Sequence, residues 1–368
     1  VIFSITIVAL TLASSQYGSR LLRGVMRDRV NQVVLGTYIA TFVFCLLALL
    51  AVRGPEHENF VPNISVSVAL LLTLASLLML IYFIHHVSVS IQAERVIAAV
   101  CAECDEVIEA LFPQRIDEAS AEDQDHDEHR MSEPGPDTTS GVCADSSGYI
   151  QAIDFDGAMK IAAENSLTLR FRRRPGEFIM AGSVLVEFWP MVARASDLSS
   201  PINKIFLIGR QRSPLQDVEF TIDQLVEIAT RALSPGINDP FTAMACIDQL
   251  GARLAVLAQR VFPRRSRLDE KGKLRLLVDT VTFAGAADAA FNQIRQHSRG
   301  NVAVSARLLE TIRHVADQAP RAADRSVLLQ HAEMIHGASK EAIPEARDRQ
   351  DIEERFQRVV KAVRQEST

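Results

Sequence analysis

Two runs in this chain, VVLGTYIATFVFCLLALLAV at residues 33–52 and ISVSVALLLTLASLLMLIYFI at residues 64–84, contain no Asp, Glu, Lys or Arg. A helix rises about 1.5 Å per residue and the hydrocarbon core of a bilayer is about 30 Å thick, so roughly 20 apolar residues cross it. Both runs meet that length. A helix in a soluble core repeats polar residues at helical spacing on its outer side, and neither run does. Two membrane-spanning helices are therefore expected, the second ending at His85 and His86.

A third apolar piece, VIFSITIVALTLA at residues 1–13, is too short to cross alone. It starts at Val1 with no basic segment before it, which favours the end of a clipped transmembrane helix over a signal peptide. The loop after it carries Arg20, Arg23, Arg27 and Arg29 against Asp28, whereas RGPEHENFVPN between the two runs carries Arg53 beside Glu56 and Glu58. Cytoplasmic loops are enriched in Lys and Arg. The basic loop, and everything after about residue 90, is expected on the cytoplasmic side.

The remainder divides by texture. Residues 91–112 form an expected juxtamembrane helix with Ile91, Val96, Ile97, Val100, Val107, Ile108 and Leu111 apolar, stopped by Pro113. Residues 113–147 are acidic and poor in large apolar side chains, the composition of a flexible linker. Their Asp125, His126, Asp127, Glu128 and His129 are read as a solvated charge run, and no metal is expected. Residues 148–212 alternate in short strands around one helix (GYIQAI, FDGAMKIAAENS, LTLRFR, a strand pair turned at Pro175–Gly176 and Ala181–Gly182, KIFLIGR), a small α/β module. Arg170, Arg172, Arg173 and Arg174 are its most basic point, either an anion-docking place or a solvated strand end. Trp189 is read as a packing residue.

Residues 213–368 are expected to be helical throughout. TIDQLVEIATRAL has helical apolar spacing with Thr221 or Asp223 able to cap it, and Pro235 and Gly236 stop it. Asp239 then sits as an N-cap with Pro240 at the first helical position, where the missing N–H costs nothing. Further helices are expected at residues 274–297, 302–318, 322–338 and 344–365. The fold class is mainly α, with a membrane helical hairpin region, a small α/β cytoplasmic module and a cytoplasmic helical bundle.

Chemistry is sparse. Cys101 and Cys104 form a CxxC on a helix, without the second pair of a zinc finger or the preceding strand of a redox fold. The five cysteines suit a reducing compartment. No GxSxG, phosphate-binding loop, dinucleotide fingerprint or HExxH occurs, so neither a catalytic residue nor a cofactor is assigned. A net charge of −6 argues against nucleic acid as a partner and leaves the bilayer itself. Three polar groups remain as candidate sites. Ser14, Ser15, Gln16, Arg20, Arg27, Asp28, Asn31 and Gln32 lie at the membrane end of two helices, where polar residues either cap helices or line a pathway. His85 and His86 at the inner end of the second run are interface anchors or pH-sensitive groups. Ser234, Pro235, Gly236, Asn238, Asp239 and Pro240 form a polar turn that either caps a helix or binds a ligand.

The segments SITIVALTLASSQYGSRLLRGVMRDRVNQVVLGTYIATFVFCLLAL, FVPNISVSVALLLTLASLLMLIYFIHHVSVSIQA, RPGEFIMAGSVLVEF and RALSPGINDPFTAMACIDQL together resemble a bacterial family of predicted membrane proteins, domain of unknown function 2254. The resemblance implies a four-helix membrane region, incomplete here, in the bacterial plasma (inner) membrane, with a cytoplasmic C-terminal part. It implies no activity. Two functions stay open: an oligomeric channel or transporter-like protein with a cytoplasmic regulatory part, and a membrane scaffold or envelope-organising protein without conduction. Either is expected as a homo-oligomer, and an enzyme is not expected.

Overall fold

The structure, a computed structural model, describes residues 11, 29–51, 63–90, 92–116, 140–191 and 195–365. It separates into two units, residues 1–99 and 100–368. In the first unit, helices α1 (Arg29–Leu50) and α2 (Asn63–Ser90) run along one another; α3 (Ala93–Leu111) follows α2 in the chain, and its residues from Val100 on belong to the second unit. Phe42, Leu46, Leu47 and Leu50 of α1 and Leu70, Leu71, Leu74 and Leu78 of α2 are exposed. The few buried positions lie seven residues, or two helical turns, apart: Val34 and Thr41 on one helix and Ser76 and Phe83 on the other. Two helices that bury one stripe and expose Leu and Phe everywhere else have no water-compatible face.

The second unit is mixed. Strands β1 (Ser140–Cys143), β2 (Gly148–Ile153), β3 (Thr168–Phe171), β4 (Phe178–Ile179), β5 (Val184–Trp189) and β6 (Phe206–Gly209) surround helices α4 (Phe155–Glu164) and α5 (Ser199–Lys204). Asp154 caps α4 by accepting from the Gly157 N–H at 3.0 Å. Gly176 and Gly182 turn the chain with φ of +93° and +82°, a conformation that favours glycine. Trp189 ends β5, half-buried, and its peptide to Pro190 is cis.

Two sheets result, one in the order β4-β2-β6 and one in which β1-β5-β3 is extended by two later strands, Leu274–Leu277 and then Ser266–Leu268. Strands β7 (Ser266–Leu268) and β8 (Leu274–Leu277) come from far along the chain, and β8 joins β3 in parallel with Leu169 opposite Leu276. Ile150, Leu169, Phe171, Ile179, Leu185, Phe188 and Leu276 share one core with Ala158 and Ala162 of α4.

The helices that follow are α6 (Val218–Ala232), α7 (Pro240–Ala258), α8 (Phe283–His297), α9 (Val302–Gln318), α10 (Ala322–Ala342) and α11 (Ala346–Gln365). Helix α9 lies against α7, α10 and α11, and α6 against α7 and α8. Among the described residues, α7 is the third helix, after α1 and α2, that is long and apolar enough to cross a bilayer. Half of it is buried within the bundle, and its Arg253 pairs with Asp105 at 2.8 Å, so its apolar face is accounted for by protein.

Three expectations need correction. Residues 274–277 are a strand, not the start of a helix; a short apolar run does not distinguish the two, and β3 supplies the pairing that decides it. Ser140–Cys143, expected in the linker, pairs with β5, Val142 opposite Val186. The cap of α6 is Asp217, which accepts from the Phe220 N–H at 3.0 Å, whereas Thr221 is buried inside the helix and Asp223 pairs with Arg212. The acidic run Asp125–His129 lies outside the described residues.

Candidate functional site

The polar side chains of α1 and α2 converge on their shared seam. The Tyr38 hydroxyl donates to the Ser76 carbonyl oxygen, the Ser76 hydroxyl donates to Thr41 Oγ1 at 3.1 Å, and Cys45 Sγ lies 3.9 Å from Thr73 Oγ1. Tyr38, Thr41 and Cys45 recur at steps of three and four, which places them on one helix face. Thr37 and Thr73 also donate to the carbonyls of Val33 and Ala69, four residues back in their own helices, each at 2.8 Å. Small and hydroxylated residues let helices approach closely and bond where lipid offers no partner, at about 0.6 kcal/mol per interhelical bond.

Of the polar cluster expected at the membrane end, Ser14, Ser15, Gln16, Arg20, Arg27 and Asp28 lie outside the described residues, while Asn31 and Gln32 fall in the first turn of α1. His85 is exposed and His86 is stacked on Tyr82 with ring centroids 5.9 Å apart, as a helix-end aromatic pair.

A second polar centre joins the strand-rich module to the bundle. Asp217 is 2% exposed and receives Arg212 Nε at 2.9 Å on one oxygen and Arg212 Nη2 at 3.1 Å on the other. Arg212 also donates to Asp223 at 2.7 Å and lies over the Phe220 ring at 5.4 Å. Gly176 rests directly on the Asp217 carboxylate, where any Cβ would collide with it. Next to it Arg174 grips Glu219 with a two-pronged contact at 3.2 and 2.7 Å, and Gln216 pairs with both the N–H and the C=O of Ile153. The Arg172 and Arg173 side chains face Glu187 and Glu177 at 2.7 and 3.9 Å. Arg172 and Arg173 thus remain solvated beside their carboxylates, with side chains 44% and 49% exposed, whereas Arg174 is drawn into the more buried pair with Glu219.

The turn at residues 234–240 is a capping device. Asp239 accepts from the N–H groups of Phe241 and Thr242, each at 3.1 Å, and from the Thr242 hydroxyl at 2.6 Å. These bonds, the Thr242 hydroxyl first, hold its carboxyl below the usual carboxylate range. Ser234 donates to the Arg231 carbonyl at 2.6 Å, and Asn238 takes a left-handed φ of +50° that Asn tolerates. Pro235, Gly236 and Pro240 shape the backbone around them.

With this geometry in view, comparisons with known proteins place the chain. The family model described as "Predicted membrane protein (DUF2254)" matches residues 1–314. The chain belongs to this family. It is 32% identical over 354 residues to two uncharacterized proteins, Mb1321c of Mycobacterium bovis and Rv1290c of Mycobacterium tuberculosis, a match covering 94% of this chain and 66% of each relative. It therefore spans just under two thirds of those relatives' length. No solved structure matches. This member of the DUF2254 family is thus a membrane protein of unknown function.

Within this DUF2254 chain, α3 lies along α7 in parallel. Cys101 Sγ lies 3.6 Å from Gln249 Oε1, Arg253 donates to Asp105 at 2.8 Å, and Arg260 donates to Glu109 at 2.6 Å and to the carbonyls of Phe112 and Pro113, each at 3.0 Å. The CxxC faces this interface: Cys101 and Cys104 are buried, as is Cys246 of α7. Burial pushes the Cys104 thiol up to about 11 and the Cys246 thiol up to about 12. Thiols so protonated are poor nucleophiles. Sequence reasoning missed the Asp217 centre, although the signal was present: an Arg five residues before an Asp that precedes the first apolar residue of α6.

Proposed function

We infer that this protein organises or anchors at the bacterial plasma membrane and does not conduct through its pair of apolar helices. The observation that carries the reading is the seam: Tyr38, Thr41, Cys45, Thr73 and Ser76 spend their polar atoms on the opposite helix or on their own backbone. A pore needs polar groups along a common axis. The outward surfaces of α1 and α2 offer Leu, Ile, Val and Phe instead. The basic loop at residues 20–29 supports an orientation with the C-terminal part in the cytoplasm. Assembly as a homo-oligomer belongs to the same proposal, because a scaffold acts through repeated copies. Buried, protonated thiols and the lack of a catalytic motif in the sequence support a non-enzymatic role. The net charge of −6 supports lipid rather than nucleic acid as the surface met. The conduction reading draws its support from the polar cluster at the membrane end, of which Ser14, Ser15, Gln16, Arg20, Arg27 and Asp28 lie outside the described residues and Asn31 and Gln32 open α1.

The test is ion flux from liposomes carrying the full chain. Flux equal to that of empty vesicles is expected. Flux that is abolished by Thr41→Val or Ser76→Ala would overturn the reading, since it would make the seam a conduction path.

A further inference from the structure

We propose that the outer face of the β4-β2-β6 sheet docks on an anionic lipid surface. Side chains alternate across a strand, so the register identifies which residues share that face. Tyr149 stands opposite Phe178 on one side and Gly209 on the other. Leu207, two residues before Gly209, and Met180, two after Phe178, extend the same surface. The inward positions Ile150, Ile153, Ile179 and Phe206 fill the core beneath.

The outward set is apolar and open: Phe178 is 51% exposed, Met180 66% and Leu207 50%. The Tyr149 and Phe178 rings meet edge-on with centroids 5.2 Å apart. Gly209 leaves room for the Gln151 side chain, whose amide lies over it and donates to the Gln211 carbonyl at 2.7 Å, so this polar group on the face is already bonded. Such a patch on three adjacent strands is more than the isolated exposed apolar residue that any protein surface carries.

Charge selects the occupant. Lys204 and Arg210 flank β6, both exposed, and neither enters an ion pair or hydrogen bond among the described residues. The nearest carboxylate along β4, Glu177, faces Arg173. Apolar and aromatic side chains rimmed by Lys and Arg match the boundary between acyl chains and anionic headgroups, where Tyr is also at home. A chain belonging to a membrane family carries its bilayer with it, so even a weak contact is populated through high effective concentration. The proposal rests on the bilayer placement of the chain, not on whether the helices conduct.

The experiment uses the full chain in vesicles of phosphatidylcholine with or without phosphatidylglycerol, and flotation first establishes that the protein is integrated. Phe178→Trp adds a second indole to Trp189, and quenching by brominated lipid is read against the unsubstituted protein. The added emission is expected to be quenched by brominated lipid in anionic vesicles and not in vesicles of phosphatidylcholine alone. The double substitution Lys204→Glu and Arg210→Glu is expected to shift docking by about 30-fold, at about 1 kcal/mol for each basic residue removed. Added emission that ignores brominated lipid but yields to aqueous acrylamide would mean an open face, and emission shielded from both would mean a protein cover such as a second copy. Either result overturns the proposal.

Discussion

Replacing Asp217 with Ala removes the buried carboxylate on which the strand-rich module and helix α6 both rest. Two contributions set the cost. The side chain caps α6 through the Phe220 N–H, and losing an N-cap costs about 1 kcal/mol. It also neutralises Arg212, and breaking a buried pair costs roughly 3–5 kcal/mol when the remaining charge is orphaned. Arg212 is not orphaned, because Asp223 stays at 2.7 Å and is itself partly exposed. Roughly half of that pair term survives, which brings the expected destabilisation to about 3 kcal/mol, or about a hundredfold in the local opening equilibrium. Asp217→Asn keeps the capping oxygen and the volume under Gly176, so about half the loss is expected.

The assay is native-state hydrogen exchange on the full chain, read separately in α6 and in the turn at residues 174–177, where the Gly176 N–H donates to the Ile150 carbonyl at 2.8 Å. Protection is expected to fall on both sides together. A loss under about 0.5 kcal/mol would refute the reasoning, because a fully buried, doubly bonded carboxylate cannot be so cheap to remove. A loss confined to the first turn of α6 would reduce Asp217 to a cap and refute its role as a joint.

Two more outcomes follow from buried titratable groups. His331 of α10 is 2% exposed, with Asp288 and Arg295 of α8 as the charged groups acting on it, and burial lowers its pKa despite the Asp288 carboxylate 3.4 Å away. A base with a depressed folded pKa contributes stability above its unfolded value of about 6.5, lost as the pH falls further toward the folded value; protection in α8 and α10 is expected to weaken as the pH falls below about 6.5, and a His331→Phe variant with the same acid dependence would exclude this residue as the source. Among the thiols outside the apolar helix pair, Cys143 is exposed and is expected to react with maleimide in the folded protein, whereas Cys101, Cys104 and Cys246 react only on unfolding. Mass-spectrometric detection of native labelling at Cys104 would contradict its burial.

The helices were largely legible because their signals are local. Asp239 and Pro240 announced the start of α7, residues 302–318 carried an unbroken helical period, and the Gly176 and Gly182 turns stood out between strands. The parts that were not legible depend on partners distant in sequence. Nothing in LRLL distinguishes strand from helix until Leu276 meets Leu169. Arg170 to Arg174 read as a basic stretch because Glu187 and Glu219, which answer two of these charges, lie on other elements. The CxxC lacked a zinc or redox pattern in sequence, but that Cys101 and Cys104 are buried beside α7 was not legible there, because Cys246 and Gln249 lie far along the chain.

Sequence alone determined that this chain contains two segments with no water-compatible face, since apolar length is a property of consecutive residues and needs no partner. Tertiary structure decided what the few polar atoms in those segments do. Tyr38, Thr41 and Ser76 lie 38 and 35 residues apart across the seam, and only the packing of α1 on α2 turns them from a potential polar path into the bonds that close the pair.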